Sequence, residues 1–208
     1  MYKLIVMSHN TWMHRGVRVA IRPLVASPIT PNQVTTLRLA AGLAAALALA
    51  QGDETWRDWG AGLFTLGFFL DRADGELARL SGKTSPWGHT YDLVSDSLSN
   101  ALAFLGLGVG LRAASFGAWA PLMGLVAGLA IAAILWLAIR MEELHGQRAG
   151  ELQGAAGFDP DDALLVVPLL VWTGLSDWLL AAACLGAPAF AVFVAVKFRG
   201  DLGNTDPP

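Results

Sequence analysis

The sequence is poor in cysteine and in charged residues, and both shortages limit the kinds of protein it can specify. Cys184 is the single cysteine, so no disulfide can form within one chain. Charged residues make up 15% of the 208 residues, whereas a typical soluble domain carries about 25%. The chain therefore has too little polar surface to coat a soluble globule. Lysine and arginine together number 14 against 17 acidic residues, and we expect no nucleic-acid partner.

Apolar residues dominate instead, at 54% of the chain with a mean hydropathy of +0.49. We therefore predict an all-α integral membrane protein with six transmembrane helices and no cleavable signal peptide. The six apolar stretches cover about residues 34–50, 59–70, 101–111, 116–139, 163–175 and 178–196. The second and third are too short to cross a hydrocarbon core of about 30 Å alone, and both adjoin acidic residues. Charged groups at membrane depth normally face a protein interior and mark function.

The distribution of basic residues predicts the orientation of these helices. With the N-terminus inside and six crossings, twelve basic residues fall on the inner side and only Arg57 and Arg112 fall outside. Such a bias is typical of cytoplasmic loops. Both termini and the acidic ends of the second and third helices are thus predicted on the cytoplasmic side, in a membrane such as the bacterial inner membrane.

An amphipathic segment precedes the first apolar stretch. Its apolar residues recur at helical spacing, whereas Arg15, Arg18 and Arg22 lie off that stripe. This pattern predicts an N-terminal amphipathic helix lying on the anionic inner leaflet; a solvated arm is the alternative. We therefore divide the chain into an N-terminal arm and helix (1–30), a six-helix catalytic domain (31–199) and a cytoplasmic tail (200–208).

Acidic residues at the ends of the second and third predicted helices form two stripes. On one helix Asp71 and Asp74 share a face, and on the next Asp92 and Asp96 are four residues apart. A short loop joins the helices, so we expect them to be antiparallel neighbours whose stripes face each other. Carboxylates without histidine or cysteine favour Mg²⁺ or Mn²⁺, and two pairs of them favour a two-ion site suited to phosphoryl transfer.

The same segment resembles a known family. The pattern D-x2-D-G-x2-A-R-x8-G-x3-D-x3-D is the signature of the CDP-alcohol phosphatidyltransferases, and the sequence matches all eight fixed positions. They are Asp71, Asp74, Gly75, Ala78, Arg79, Gly88, Asp92 and Asp96.

This resemblance implies a specific reaction. Family members transfer a phosphatidyl group from a CDP-linked lipid, usually CDP-diacylglycerol, to a small alcohol and release CMP. By similarity, Asp71, Asp74 and Asp92 bind metal, while Asp96 helps to bind a second ion and is the general base. The resemblance further implies contacts to the CDP moiety from Gly75, Ala78, Arg79 and Gly88, and it implies a homodimer among membrane lipids.

Two features of the sequence leave alternatives open. Asn32 and Thr35 either line the nucleotide pocket or cap the first transmembrane helix. Ser97 follows Asp96, where family members with phosphorylated acceptors often have a basic residue. This favours serine or inositol as acceptor, with glycerol 3-phosphate or inositol phosphate still possible.

Three rival interpretations of the acidic cluster are an intramembrane prenyltransferase with an aspartate-rich metal site, a cation-binding transporter and a relative that has lost catalysis. Prenyltransferase motifs look different from this one and usually come with more helices. A transporter would not need Gly75, Ala78 and Arg79 at this spacing, and intact carboxylates argue against the third interpretation.

Overall fold

A computed structural model of the chain describes residues 12–145, 164–197 and 199. These residues form helices, turns and short connections, with no strand among them, which confirms the all-α class. The predicted tail 200–208 lies outside the described part of the chain. In chain order the helices are α1 Trp12–Val25, α2 Pro31–Ala50, α3 Glu54–Ser81, α4 Pro86–Gly110, α5 Ala120–His145, α6 Val166–Trp172 and α7 Ser176–Lys197.

Helices α3 and α4 continue without a break through both their apolar and their acidic parts. They contain 28 and 25 residues, which corresponds to about 42 and 38 Å at 1.5 Å per residue. Each helix is thus longer than a hydrocarbon core of about 30 Å. The second and third apolar stretches of the sequence are therefore the apolar halves of α3 and α4. The acidic residues beside them form the other halves of the same two helices.

Four helical segments in the described part of the chain are long and apolar enough to cross a membrane. They are Pro31–Ala50, Pro86–Ala113, Gly117–Glu142 and Ser176–Lys197. Helix α3 is not among them, and its second half carries the charged motif. Helix α6 has only seven residues, and residues 146–163 before it lie outside the described ranges. The structure thus supports four spans, and the count of six stays a prediction.

Helix α2 is at the centre of the bundle, where it packs against both α3 and α4. The expectation that α3 and α4 lie side by side is wrong over most of their length, because they touch each other only over a small area. Small residues on both α2 and α4 allow the close contact between these two helices. A methyl group on Gly106 or Gly110 would collide with the carbonyl oxygen of Ala46 or Leu49, and one on Gly42 would collide with the Ser99 side chain. We call Gly42, Gly106 and Gly110 the glycine seam.

The apolar core has two parts. The larger part lies beyond the acidic halves of the helices and includes Leu49, Phe64, Leu107 and Leu180, all buried. A smaller cluster lies where α2 begins and α3 ends. We call this second region, which also contains the start of α4, the polar end of the bundle.

Helix α1 is present where the amphipathic pattern predicted it, but its surroundings differ from the prediction. Ile21 is buried against Val34 of α2 and Leu77 of α3. Arg18, which was expected to face the lipid headgroups, instead forms an ion pair of 3.1 Å with the buried carboxylate of Glu76. Part of the apolar stripe of α1 thus packs on protein because the polar end offers it an apolar cluster beside a buried acid.

Candidate active site

Local sequence chemistry brings the acidic halves of α3 and α4 together. Helix α3 ends at Gly82, whose φ of 68° is in the left-handed region that glycine adopts without strain. Helix α4 begins after Ser85, whose hydroxyl accepts a hydrogen bond of 2.9 Å from the backbone N–H of Gly88. Pro86 occupies the first helical position, where its missing N–H is not needed. The chain therefore reverses within a few residues, with the motif on both sides of the turn.

Three of the four predicted metal ligands converge at the polar end. Asp71, Asp74 and Asp92 each offer a carboxylate oxygen, and these oxygens lie within 4.8 Å of one another. A donor set made only of carboxylate oxygens fits Mg²⁺ or Mn²⁺ rather than Zn²⁺. Asp71 and Asp92 come from different helices, so an ion held there would also tie α3 to α4.

Asp96 lies one turn further along α4 and is not part of this group. Its side chain is 49% exposed, and the Asn100 amide donates a hydrogen bond of 3.1 Å to its Oδ1. The structure therefore separates the four predicted aspartates into a group of three and a more accessible fourth.

Thr35 belongs to the site and not to the helix cap. Its hydroxyl donates a hydrogen bond of 2.7 Å to Oδ2 of Asp74, and both residues are only 2% exposed. The cap of α2 is formed by Thr30, whose side chain accepts from the backbone of Gln33 in a reciprocal capping box. Capping by Asn32 or Thr35 was therefore the wrong alternative. The Asn32 amide oxygen lies 3.1 Å from the place where a Cβ of Gly88 would be.

Arg38 is the site residue that the sequence reasoning missed. It is 2% exposed and its Nη1 is paired with Asp71, with Oδ1 of Asp92 at 3.1 Å and with Oδ1 of Asp96 at 3.9 Å. Its Nη2 donates a hydrogen bond of 2.6 Å to the backbone carbonyl of Asp92. Arg72, also buried, lies 3.3 Å from Asp71 and over the ring of Phe68. The signal for Arg38 was a charge within an apolar helix, which normally marks function.

Three further motif residues belong to α3, where Gly75 and Ala78 are half-buried and Arg79 is exposed. The guanidinium of Arg79 lies 3.6 Å from the place where a Cβ of Gly75 would be, and it donates a hydrogen bond of 3.0 Å to Glu76. Glu76, which is 1% exposed, also accepts hydrogen bonds from Arg18. This interaction raises the pKa of Arg18 above its ordinary value. The buried carboxylate of Glu76 thus binds both Arg18 and Arg79. The spacing of the motif residues in the sequence did not indicate this pairing.

Two further polar contacts connect the site to its neighbours. His89 lies 2.9 Å from the Glu142 carboxylate on α5. The Tyr91 ring stacks on Trp87, and its hydroxyl forms a hydrogen bond of 3.0 Å with the Thr36 hydroxyl on α2. These contacts join the start of α4 to α5 and to α2.

Together these features define a class of protein: an all-helical membrane protein that gathers carboxylates from two helices into a candidate divalent-cation site at one end of its bundle. The family model for CDP-alcohol phosphatidyltransferases matches residues 28–194. The chain therefore belongs to that family, and the resemblance drawn from the motif is confirmed.

Curated proteins related in sequence carry related names. A bifunctional IPC transferase and DIPP synthase of Rubrobacter xylanophilus is 29% identical over 185 residues, which is 88% of this chain and 36% of that protein. A phosphatidylinositol phosphate synthase of Streptomyces avermitilis is 35% identical over 83 residues, 40% of this chain and 33% of that protein. An archaetidylinositol phosphate synthase of Pyrococcus horikoshii is 34% identical over 90 residues, 43% of this chain and 46% of that protein. The chain thus spans between a third and a half of the length of these relatives.

Solved structures share the fold. The phosphatidylinositol phosphate synthase of Mycobacterium tuberculosis with CDP-DAG bound superimposes with a TM-score of 0.69 at 22% identity, over 93% of this chain and 98% of that chain. The same enzyme in complex with manganese and citrate gives a TM-score of 0.66 at 21% identity, over 92% and 93% of the two chains.

Proposed function

We propose that this protein transfers the phosphatidyl group of CDP-diacylglycerol to a small alcohol and releases CMP. The observation that carries the proposal is the convergence of Asp71, Asp74 and Asp92 at the motif of a CDP-alcohol phosphatidyltransferase. It is supported by a relative of the same fold whose structure contains CDP-DAG.

Asp71, Asp74 and Asp92 are proposed to hold Mg²⁺ or Mn²⁺. When bound, the cation neutralises the negative charge of the diphosphate and of the departing CMP. Asp96 accepts the proton of the acceptor hydroxyl, a role supported by its half-exposed side chain at the edge of the group. The hydroxyl oxygen then bonds to the phosphorus of the phosphatidyl group, and the bond between that phosphorus and CMP breaks.

The CDP moiety is proposed to bind between the starts of α2 and α4 and the end of α3. Gly75 and Gly88 allow Arg79 and Asn32 to lie close to the backbone of α3 and α4, and so bring polar groups to the place proposed for the ligand. Arg79 offers a partly exposed guanidinium for a phosphate oxygen. Ala78 supplies a small surface on the same helix face as Gly75. Thr35 contributes indirectly, because its hydroxyl donates a hydrogen bond to the Asp74 carboxylate.

The acceptor is proposed to be inositol phosphate. The expectation of serine or inositol depended on Ser97, but that residue is 7% exposed and its hydroxyl donates a hydrogen bond of 3.5 Å to the Ile131 carbonyl on α5. Its side chain therefore faces α5 and carries no information about the acceptor. Two of the relatives are named as phosphatidylinositol phosphate and archaetidylinositol phosphate synthases, which supports a phosphorylated inositol.

We further propose that the domain division at residues 30 and 199 holds. In this proposal α3 and the apolar stretch 163–175, which contains α6, complete the six crossings, and α1 lies at the inner membrane surface. The excess of basic residues at the polar end supports a cytoplasmic site. The exposed apolar side chains of α7, among them Leu185, Val192 and Phe193, suit contact with lipid or with a second copy in a homodimer.

The test is CMP release by purified protein given CDP-diacylglycerol, Mg²⁺ or Mn²⁺ and one acceptor at a time. The acceptors are inositol phosphate, glycerol 3-phosphate, serine and inositol. Metal-dependent CMP release with inositol phosphate alone is the expected result. Release with another acceptor would correct the acceptor and keep the reaction. Folded protein that binds no CDP-diacylglycerol and releases no CMP would refute the reaction, and would leave a prenyltransferase, a transporter or an inactive relative.

A further inference from the structure

Glu76 is a buried acid close to the candidate site, but it is neither one of the three converging aspartates nor a fixed position of the motif. Its side chain is 1% exposed. Its Oε2 accepts a hydrogen bond of 3.1 Å from Nε of Arg18, and its Oε1 accepts hydrogen bonds of 3.2 Å from Nη2 of Arg18 and 3.0 Å from Nη2 of Arg79. A buried carboxylate is costly unless it is paired and hydrogen-bonded, and here α1 and α3 each supply an arginine.

The hydrogen bond to Glu76 sets the direction of the Arg79 side chain. The two residues are three apart on α3 and therefore share one face of the helix. The guanidinium folds back along α3, and its atoms lie 3.6–3.9 Å from the place where a Cβ of Gly75 would be. Gly75 directly follows Asp74 in the chain. An arginine that is ordered only by its ligand loses rotamer freedom on binding and so binds less tightly. Glu76 thus orders Arg79 before a ligand arrives.

Arg18 limits how far Glu76 neutralises Arg79. Its guanidinium contacts both carboxylate oxygens of Glu76, the two-bond geometry that suits an arginine and a carboxylate best. Arg79 keeps one hydrogen bond to Glu76, and within the described part of the chain Glu76 is its one hydrogen-bond partner. Two guanidinium groups against one carboxylate leave one positive charge in excess. The other N–H groups of Arg79 are therefore available to a phosphate.

We propose that Glu76 and Arg18 are positioning residues for the CDP moiety. Glu76 orients Arg79, Arg18 keeps Glu76 from cancelling the charge of Arg79, and the docking of α1 on the bundle is thereby coupled to the binding of CDP-diacylglycerol. Ile21, three residues after Arg18, is buried against Val34 and Leu77, so an apolar contact supports the ion pair. The inference rests on the proposed function, in which Arg79 binds a phosphate oxygen.

The first experiment measures CMP release by the purified full-length protein in detergent micelles while CDP-diacylglycerol is varied. We expect Arg18→Gln and Glu76→Gln each to raise KM for CDP-diacylglycerol by about 5–20-fold, in the lower range of coupling between sites. The value of kcat should stay within about threefold, because a contact made equally in the ground state and the transition state changes KM. The matched control is Arg22→Gln, which removes the same charge from an exposed position of α1 and should leave KM unchanged.

The sign of the Glu76→Gln effect separates positioning from simple electrostatics. The change removes a negative charge near an anionic ligand, so KM would fall if Glu76 acted through its charge alone. The second experiment is a double-mutant cycle. Arg79→Gln should itself raise KM, and adding Arg18→Gln to it should change KM by less than about twofold, because Arg18 acts through Arg79.

The third experiment uses the reciprocity of coupled binding. Saturating CDP-diacylglycerol should slow amide hydrogen exchange in α1 of the wild type and should not slow it in Arg79→Gln. Equal exchange with and without CDP-diacylglycerol in the wild type would overturn the coupling.

The kinetic outcomes distinguish this inference from the proposed function. An unchanged or lowered KM in folded Glu76→Gln, or a full effect of Arg18→Gln in the Arg79→Gln background, would overturn the inference and leave the reaction intact. Wild-type protein that neither binds CDP-diacylglycerol nor releases CMP would refute the proposed function and the inference with it. If Glu76→Gln does not fold, Arg18→Gln decides by the same criterion, since Arg18 is 35% exposed.

Discussion

Replacing Thr35 by valine tests whether α2 organises the carboxylate group. The change removes one hydroxyl and keeps the shape of the side chain. In the structure that hydroxyl donates to Oδ2 of Asp74 at 2.7 Å, with both residues 2% exposed. No water can readily replace the lost donor at such a buried place. Asp74 would then be oriented less well for a cation.

The size of the effect follows from the charge and burial of the pair. A hydrogen bond to a charged group contributes about 1.5–3 kcal/mol, and about 1.4 kcal/mol corresponds to a tenfold change in affinity. Outer partners of metal-binding side chains generally change metal affinity by about 10–100-fold. We therefore expect Thr35→Val to weaken Mn²⁺ binding by about 10–100-fold.

The assay is a calorimetric titration of Mn²⁺ into purified protein without nucleotide. Thr35→Ser retains the hydroxyl and should stay close to the wild type. Thr36→Val is the matched control, because the Thr36 hydroxyl contacts the Asn32 carbonyl and Tyr91 and lies away from the carboxylates. If Thr35→Val and Thr36→Val bind Mn²⁺ equally well, the hydrogen bond to Asp74 has no part in organising the site.

Four further outcomes are expected. Asp96→Asn should lower CMP release by about 10²–10⁴-fold while the protein still binds Mn²⁺; unchanged turnover would remove Asp96 from its role. Chelation by EDTA should abolish CMP release, and added Mn²⁺ or Mg²⁺ should restore it; persistent release would refute metal dependence. Gly106→Ala should destabilise the protein by about 1–3 kcal/mol in thermal unfolding, because its methyl group meets the Ala46 carbonyl, whereas Gly62→Ala, with open space around it, should not. Glu76→Gln should speed proteolysis of the N-terminal region, since α1 loses an ionic contact; an unchanged cleavage rate would contradict that contact.

Local pattern was sufficient to predict much of this fold. The amphipathic spacing before the first apolar stretch predicted the helix α1, and the apolar stretches predicted α2, α5 and α7, because the periodicity and length of a helix depend on neighbouring residues. The sequence did not indicate which helices pack against each other. The turn between α3 and α4 indicated a direct pair, but packing depends on side-chain size along all three helices, and α2 has the small residues that bring it between them.

In the candidate site, too, the features set by neighbouring residues were predicted and the contacts between distant residues were not. Its carboxylates were found because they belong to one fixed spacing within 26 residues of sequence. Arg38 and Thr35 were not assigned their contacts because they lie more than 30 residues before Asp71 and Asp74 in the chain. The pairing of Arg18 with Glu76 spans 58 residues, and nothing local distinguishes it from a solvated charge.

A charged, ion-binding chamber inside a membrane protein is also a potential leak for protons and metal ions. In this chain the glycine seam closes α2 onto α4 beyond the carboxylates, with Gly106 and Gly110 against the backbone of α2. Between positions 42 and 50 of α2 and between 101 and 110 of α4 every residue is apolar or glycine, so no side chain there can relay a proton. Along the contact between α2 and α4, the seam therefore leaves no polar path from the carboxylates to the other end of the bundle.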